Sequence, residues 1–157
     1  MIDVIKIASY ICERYRKEYG ERIDEMKLHK LLYFTQRECV IQKGKPLFDA
    51  TFYGWKYGPV VIEIRDAYKN DALNDLPSEE EIKNYFGVFD VIFTKFAGKD
   101  SWSLSRLSHG ETSWRNARIG LSAKENGHQP MNPADIIADA ERIKQRRLIL
   151  SRFRMLL

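Results

Sequence analysis

DEMKLHKLLYFTQRECVIQKG, residues 24–44, carries the strongest helical signal in this chain of 157 residues. Asp24 is a good N-cap, because its carboxylate can accept hydrogen bonds from the free N–H groups of a first turn. Gly44 supplies a C-terminal stop. Between them the residues at helical spacing are Leu28, Leu31, Leu32, Thr35 and Cys39. The stretch therefore predicts a long helix with a buried apolar stripe.

Helices are predicted on both sides of this stretch. Residues 3–18 repeat apolar side chains at helical spacing and end at Gly20. Ser78 with Glu81 matches a capping box, and the helix that follows is expected to be interrupted near Gly87. The remaining predictions are a short helix that contains Trp102 and Leu107 and ends near residues 108–110, a further short segment around Trp114, and a long last helix that begins at Asn132-Pro133.

An aromatic segment breaks the helical pattern after residue 44. Residues 46–57 include Phe52, Tyr53, Trp55 and Tyr57, which are typical of strands, with glycine between them. We expect a short strand or hairpin there. Gly58-Pro59 is expected to open the next helix, because proline is favoured in the first helical turn.

Length and composition indicate one domain of the mainly α class. The chain is 44% apolar and 31% charged, enough to fill a core and to oppose disorder. The expectation is a compact single domain over 1–157, with about six to seven helices and a short β-strand or hairpin around 46–57.

The formal charge of +4 is concentrated at one end of the sequence. Residues 141–157 hold six basic residues and one acidic residue, so the rest of the chain is close to neutral. Large apolar residues alternate with the arginines in this segment. The pattern predicts a basic, apolar helical extension, and it favours docking onto an acidic protein partner over phosphate binding.

Sequence patterns give little support for enzymatic or cofactor chemistry. No glycine-rich phosphate loop occurs, and no His, Cys or carboxylate group has metal-ligand spacing, so no cofactor or metal is expected. Cys12 and Cys39 are interpreted as reduced core residues. No apolar span is long enough for a signal or membrane anchor, which favours a cytoplasmic protein.

For His29 and His109, a structural role is favoured over a catalytic one. His29 lies beside the apolar stripe and is expected at the surface or its boundary. His109 stands at a predicted helix end, where a capping role is favoured. An enzyme that uses His109 with Glu111 or Asp100 ranks last among the hypotheses, because no spacing creates a specific site.

The segment 52–60 has two interpretations, and the residues alone favour neither of them. Its glycines and aromatics could be architectural, allowing close backbone approach and covering a small core. They could equally form an aromatic contact surface for a partner, because Trp and Tyr supply large rigid contact area.

Four motifs, in this order, resemble the SocA-like antitoxin family, also called the Panacea domain and grouped with phage-associated GepA-like proteins. Residues 26–36, MKLHKLLYFTQ, resemble its opening motif, with His29 where Gln is usual. Residues 44–48, GKPLF, and 54–60, GWKYGPV, are similar to its turn and its central signature. Residues 104–109, LSRLSH, followed by Ser113-Trp114, resemble its last motif.

The resemblance implies a mainly helical bacterial domain without catalytic residues, acting as the antitoxin of a toxin–antitoxin pair. Its implied partner is a cognate toxin protein, neutralised by direct binding or, as in a proteolytic adaptor, delivered to a ClpXP-type protease. The alternative function is a nucleic-acid-binding regulator that uses the basic C-terminal helix, with DNA as a secondary partner. A homodimer through the same helix is compatible with both.

The candidate partner-binding residues come from the motifs and from the C-terminal extension. They are Trp55, Lys56, Tyr57, Pro59, His109, Trp114, Arg147 and Phe153.

Overall fold

The structure, a computed structural model, describes residues 1–155. Eight α-helices and one two-stranded hairpin occur within them. In chain order they are α1 (Val4–Tyr19), α2 (Glu25–Lys43), β1 (Tyr53–Trp55), β2 (Gly58–Val60), α3 (Ile62–Lys69), α4 (Glu79–Ile82), α5 (Phe86–Lys95), α6 (Ser101–His109), α7 (Thr112–Ala117) and α8 (Pro133–Met155). The predicted mainly α class with a short hairpin is confirmed. No helix in the described part of the chain is long and apolar enough to cross a membrane.

The ends of α1 and α2 follow the predicted capping signals. The Asp24 carboxylate accepts a hydrogen bond from the Lys27 backbone N–H at 2.8 Å. Gly20 and Gly44 end the two helices in the left-handed conformation, at φ +73° and +74°. Glycine adopts this region without the steric penalty that a Cβ would bring.

The region from β1 to α5 departs from the prediction at two places. Pro59 lies in strand β2, where it pairs with Gly54 of β1, and α3 begins only at Ile62. The expected helix start at Gly58-Pro59 is therefore wrong, since a proline at the edge of a two-stranded hairpin needs no N–H for the ladder. The interruption expected near Gly87 occurs slightly earlier, as a 3₁₀ turn at Lys83–Tyr85 that links α4 to α5.

Helix α2 forms the centre of the domain. Every residue from 27 to 39 is buried, and helices from all parts of the chain pack around this segment. The sequence pattern predicted one apolar stripe, but the faces between the stripe residues are covered as well. Those faces carry polar side chains: Lys27, His29, Lys30, Gln36, Arg37 and Glu38.

Buried polar groups are rarely left without a partner, and most of the buried polar side chains of α2 bond to neighbouring elements. The Lys27 ammonium donates to the Ala97 carbonyl at 3.0 Å, after α5. The Gln36 amide bonds to the backbone of Leu47 and Phe48, before the hairpin. Each of these bonds fixes a loop to the central helix.

A buried polar cluster ties α8 to α2 and α7. The Tyr33 hydroxyl lies 2.9 Å from Ser113 Oγ and donates to Asp139 at 3.2 Å. Asp139 also accepts the backbone N–H of Ser113 at 2.9 Å. Glu111 forms an ion pair with Arg37, and both side chains are almost fully buried. Burial raises the pKa of Glu111, against the opposing effect of Arg37.

The predicted C-terminal extension is helical as far as the structure describes it. It continues α8 from 141 to 155, while Leu156 and Leu157 lie outside the described residues. Leu148, Ile149 and Leu150 are all substantially exposed. Consecutive helical residues point about 100° apart, so these side chains do not share a single stripe.

Glu111→Gln is expected to lower the free energy of unfolding by about 3 kcal/mol, because it leaves the buried Arg37 guanidinium without its carboxylate. Urea titration followed by circular dichroism at pH 7 measures this. Glu80→Gln is the matched control, since Glu80 is exposed, and a change below about 0.5 kcal/mol is expected for it. Equal effects of the two substitutions would contradict the role assigned to the buried pair.

Candidate functional site

The hairpin β1–β2 is held in place through its backbone carbonyls. Four side chains of α2, α6, α7 and the segment after α7 donate to it: Lys30 to Pro59 at 3.2 Å, Ser105 to Tyr57 at 2.7 Å, Trp114 to Trp55 at 2.8 Å and Arg118 to Gly54 at 2.9 Å. Because the acceptors are main-chain atoms, these four hydrogen bonds do not involve the side chains of the hairpin.

Gly58 brings the hairpin closer to the central helix than any other residue type would allow. A Cβ at this position would stand 2.3 Å from Lys30 Cε and 2.5 Å from Ser108 Oγ. Its φ of +115° also favours glycine. The architectural reading of the 52–60 segment therefore has direct support at this residue.

Lys30 and His29 lie side by side on α2 beneath the hairpin, and both are about 1% exposed. Burial lowers the pKa of Lys30 to about 7. Burial also lowers the pKa of His29, so the imidazole is neutral at pH 7. The expectation of a surface or boundary His29 is wrong, because the hairpin and α3 cover the face of α2 on which it lies. His29 Nδ1 accepts the Val61 backbone N–H at 3.3 Å.

His109 and Trp114 form a stacked pair between α6 and the hairpin. Their ring centroids lie 4.0 Å apart with an interplanar angle of 7°. His109 Nε2 lies 3.5 Å from Ser105 Oγ. Burial lowers the pKa of His109, with a further contribution from the charge of Lys30. The imidazole thus packs against Trp114, the residue that donates to the hairpin, instead of capping the end of α6.

One part of the hairpin region presents aromatic surface to solvent. Tyr57 is 45% exposed and Trp102 is 54% exposed, and their rings meet edge to face at 5.3 Å. Lys56 Nζ lies 5.0 Å from the centroid of the Tyr57 ring. We call Lys56, Tyr57 and Trp102 the aromatic patch. Aromatic and cationic residues of this kind are enriched at the centres of protein interfaces.

The structure divides the sequence-derived candidates into three groups. Lys56 and Tyr57 belong to the aromatic patch, whereas Pro59 is buried within strand β2 of the hairpin. Trp55, His109 and Trp114 are half-buried: Trp55 lies in β1, Trp114 donates to its carbonyl, and His109 stacks on Trp114. Arg147 and Phe153 lie on α8, away from the other candidates: Arg147 pairs with Glu38 at 2.9 Å, and Phe153 is 65% exposed.

Sequence reasoning missed Trp102 and Lys30. The sequence pattern predicts a short helix around Trp102 and no functional role for it, and only the fold places it against Tyr57. Lys30 lies within α2, but its burial depends on the close approach of Gly58, which no local pattern encodes. Among residues 1–155 there is no group of three or more His, Cys, Asp or Glu side chains that could hold a metal ion.

Comparison with known proteins agrees with the motif resemblance. Residues 28–87 match the family model described as antitoxin SocA-like, Panacea domain. Antitoxin SocA of Caulobacter vibrioides is 45% identical over 38 residues, which is 24% of this chain and 20% of SocA. The aligned region thus covers about a fifth of that relative's length. No solved structure matches the chain.

Folding stability is expected to rise with pH above about 7 through Lys30. The pKa of this ammonium is about 7 in the folded protein and 10.5 ordinarily, so between these values the unfolded chain binds more protons than the folded chain. Stability then increases by up to about 1.4 kcal/mol per pH unit from this group alone. The difference in unfolding free energy between the wild type and Lys30→Met, measured from pH 7.5 to 9, isolates this contribution.

Lys99→Met provides the matched control for that measurement, because Lys99 is exposed. Its difference from the wild type should stay constant over the same range. A Lys30→Met difference that is likewise independent of pH would contradict the lowered pKa.

Proposed function

We propose that this chain, a SocA-like Panacea-domain protein by its match over residues 28–87, is an antitoxin that neutralises a cognate toxin by direct protein–protein binding. The observation that carries the proposal is this match. It includes most of the central helix α2, the hairpin, and Lys56 and Tyr57 of the aromatic patch. The proposed role is non-enzymatic, and the toxin is the only partner that it requires.

The aromatic patch is the first surface that supports toxin binding. Tyr57 and Trp102 come from different elements, yet their rings are in contact and both remain accessible. The hairpin that presents Tyr57 is fixed by backbone hydrogen bonds. A rigid aromatic surface loses little conformational entropy when a partner covers it, so it is suited to contribute affinity.

The end of α8 is the second surface. Residues 148–155 include several large apolar side chains, and Phe153 is 65% exposed. Of the six basic residues in 141–157, Arg142 and Arg147 bind carboxylates of the body, Glu111 and Glu38. Lys144, Arg146, Arg152 and Arg154 make no ion pair within residues 1–155. The helix end therefore offers apolar area together with unpaired positive charge, which fits a toxin with an acidic surface.

Direct inhibition and delivery to a ClpXP-type protease are two modes of the same binding. We propose inhibition by binding as the primary mode, since both candidate surfaces lie on the folded domain. The half-life of the toxin in cells with and without the protease distinguishes the modes. A toxin that stays neutralised at unchanged abundance supports direct inhibition, and a toxin that disappears only when chain and protease are both present supports delivery.

The alternative is a nucleic-acid-binding regulator that uses the exposed basic residues of α8. The observation in its favour is the set of four cations without a carboxylate partner in the described residues. Phosphate contacts by four cations predict an affinity for DNA that falls steeply with salt concentration. An electrophoretic shift of the chain's own promoter DNA at two salt concentrations tests this function separately from toxin binding.

Trp102→Ala and Tyr57→Ala are each expected to weaken binding of the toxin encoded by the neighbouring gene by about tenfold, because each removes buried aromatic contact area. Calorimetric titration of the purified toxin measures the affinity, and rescue of growth measures neutralisation. Ile119→Ala is the control, since Ile119 is 78% exposed outside the aromatic patch. Wild-type affinity in both aromatic variants would remove the patch from the interface.

A chain that ends after Arg147 is expected to fold normally, because it keeps the Arg147–Glu38 pair and all buried residues of α8. It should bind the toxin more weakly, through loss of the apolar helix end. Light scattering of both forms without toxin is the companion measurement. A full-length dimer that becomes monomeric on truncation, with unchanged toxin affinity, would assign the helix end to self-association instead.

A further inference from the structure

A small cavity lies between α2, the hairpin and α3. Its volume is about 140 Å³, and its lining includes Glu25, His29, Lys30, Trp55 and Arg65. A cavity of about this size accommodates a molecule with the bulk of benzene. It adjoins the aromatic patch, but it is lined by different side chains apart from Tyr57.

Three buried nitrogen atoms in this lining have hydrogen-bonding capacity that the protein leaves unused. Lys30 Nζ donates to one acceptor in the described residues, the Pro59 carbonyl. His29 Nε2 and Trp55 Nε1 are buried without a hydrogen-bond partner there. Buried polar groups are rarely left unpaired unless a ligand, an ion or water completes them.

All three nitrogen atoms are hydrogen-bond donors. Lys30 Nζ and Trp55 Nε1 are donors by their chemistry, and His29 Nε2 is one because of the tautomer that the ring adopts. Its Nδ1 accepts the Val61 backbone N–H, so the neutral ring carries its proton on Nε2. The nearest carboxylate oxygen, Glu25 Oε2, lies 3.6 Å from Nε2, beyond hydrogen-bond distance. Indole and ammonium groups cannot accept. The cavity therefore presents an ammonium and two N–H groups, and the one carboxylate in its lining, Glu25, is paired with Arg65.

The charge of the lining favours a monoanion. Glu25 is the only acidic residue that lines the cavity, and Arg65 holds it at 3.1 Å. With that pair neutralised and His29 uncharged, protonated Lys30 leaves one positive charge. A carboxylate supplies one negative charge and two oxygens with several lone pairs, which matches one ammonium and two N–H donors.

We propose that this cavity binds a carboxylate group, with Lys30, His29 and Trp55 as its donors. The carboxylate belongs either to a small free acid or to the C-terminus of a peptide, and the cavity volume limits what accompanies it to a few heavy atoms. This proposal does not rest on the proposed toxin-binding function. Its test uses the chain without toxin, so the two proposals can fail separately.

The test follows the three tryptophan indole N–H resonances of the full-length, nitrogen-15-labelled protein during titration. The probes are acetate, the tripeptide Gly-Gly-Ala, the same tripeptide amidated at its C-terminus, and inorganic phosphate. A saturable shift of the Trp55 resonance, assigned by Trp55→Phe, is expected with acetate or with the free-acid peptide.

The identity of the effective probe distinguishes the two sources. Acetate alone indicates a small free acid, whereas the free-acid peptide acting more strongly than acetate indicates a peptide C-terminus. The amidated peptide should cause no shift. The proposal is overturned if neither carboxylate gives a saturable shift, if the amidated peptide binds equally well, or if phosphate binds more tightly than both carboxylates.

Variants assign the site to its donors. Lys30→Met and Trp55→Phe are each expected to weaken carboxylate binding by about tenfold or more, because charge-assisted and buried hydrogen bonds are lost. For Trp55→Phe, calorimetry replaces the missing resonance. Lys99→Met should bind as the wild type does. Thermal unfolding checks that each variant is folded, and unchanged affinity in either folded donor variant overturns the assignment.

Proton uptake gives an independent readout of Lys30. The titratable and charged groups near its ammonium are Glu25 and His29 of the same helix, Asp24 at its N-cap, His109 of α6 and Arg65 of α3. At pH 8 a bound carboxylate should draw a proton onto Lys30, so the heat of binding should depend on the ionisation enthalpy of the buffer. The dependence should vanish in Lys30→Met. A wild-type heat that is the same in all buffers would contradict the role of Lys30.

Discussion

The burial of residues 27–39 of α2 on every side is the constraint on which the rest of the structure depends. A helix buried on all sides has no solvent to satisfy its polar side chains, so each of them needs an internal partner. In α2 those partners lie on different elements: Lys27 reaches the turn after α5, Lys30 the hairpin, and Tyr33 both α7 and α8. The polar residues of one helix thus determine the positions of the elements around it.

The hydrogen bonds of this helix also explain why the candidate site lies where it does. The hairpin has only three residues in each strand, too few to be stable alone. Its position comes from side chains of α2, α6 and α7 that bind its carbonyls. Where that network leaves donors unused, at His29 Nε2 and Trp55 Nε1, a cavity remains. The side chains that hold the hairpin and the unused donors at the cavity therefore belong to the same group of buried residues.

Sequence patterns predicted the helices well and the site only in outline. Local signals such as Asp24, Gly44 and the Ser78 capping box depend on nearby residues, and they appear in the structure as expected. Burial depends on distant chain segments. The positions of His29 and Trp102 could not be derived, because the first is covered by the hairpin and the second meets Tyr57 only after folding.

The hairpin is anchored through main-chain carbonyls, which every amino acid possesses. Exchange of an outward-facing side chain such as Tyr57 leaves the hydrogen bonds from Ser105 and Trp114 intact. New surface chemistry can therefore arise on this hairpin by single substitutions without a cost to its position. A scaffold of this kind can change its binding partner over evolution while its fold stays the same.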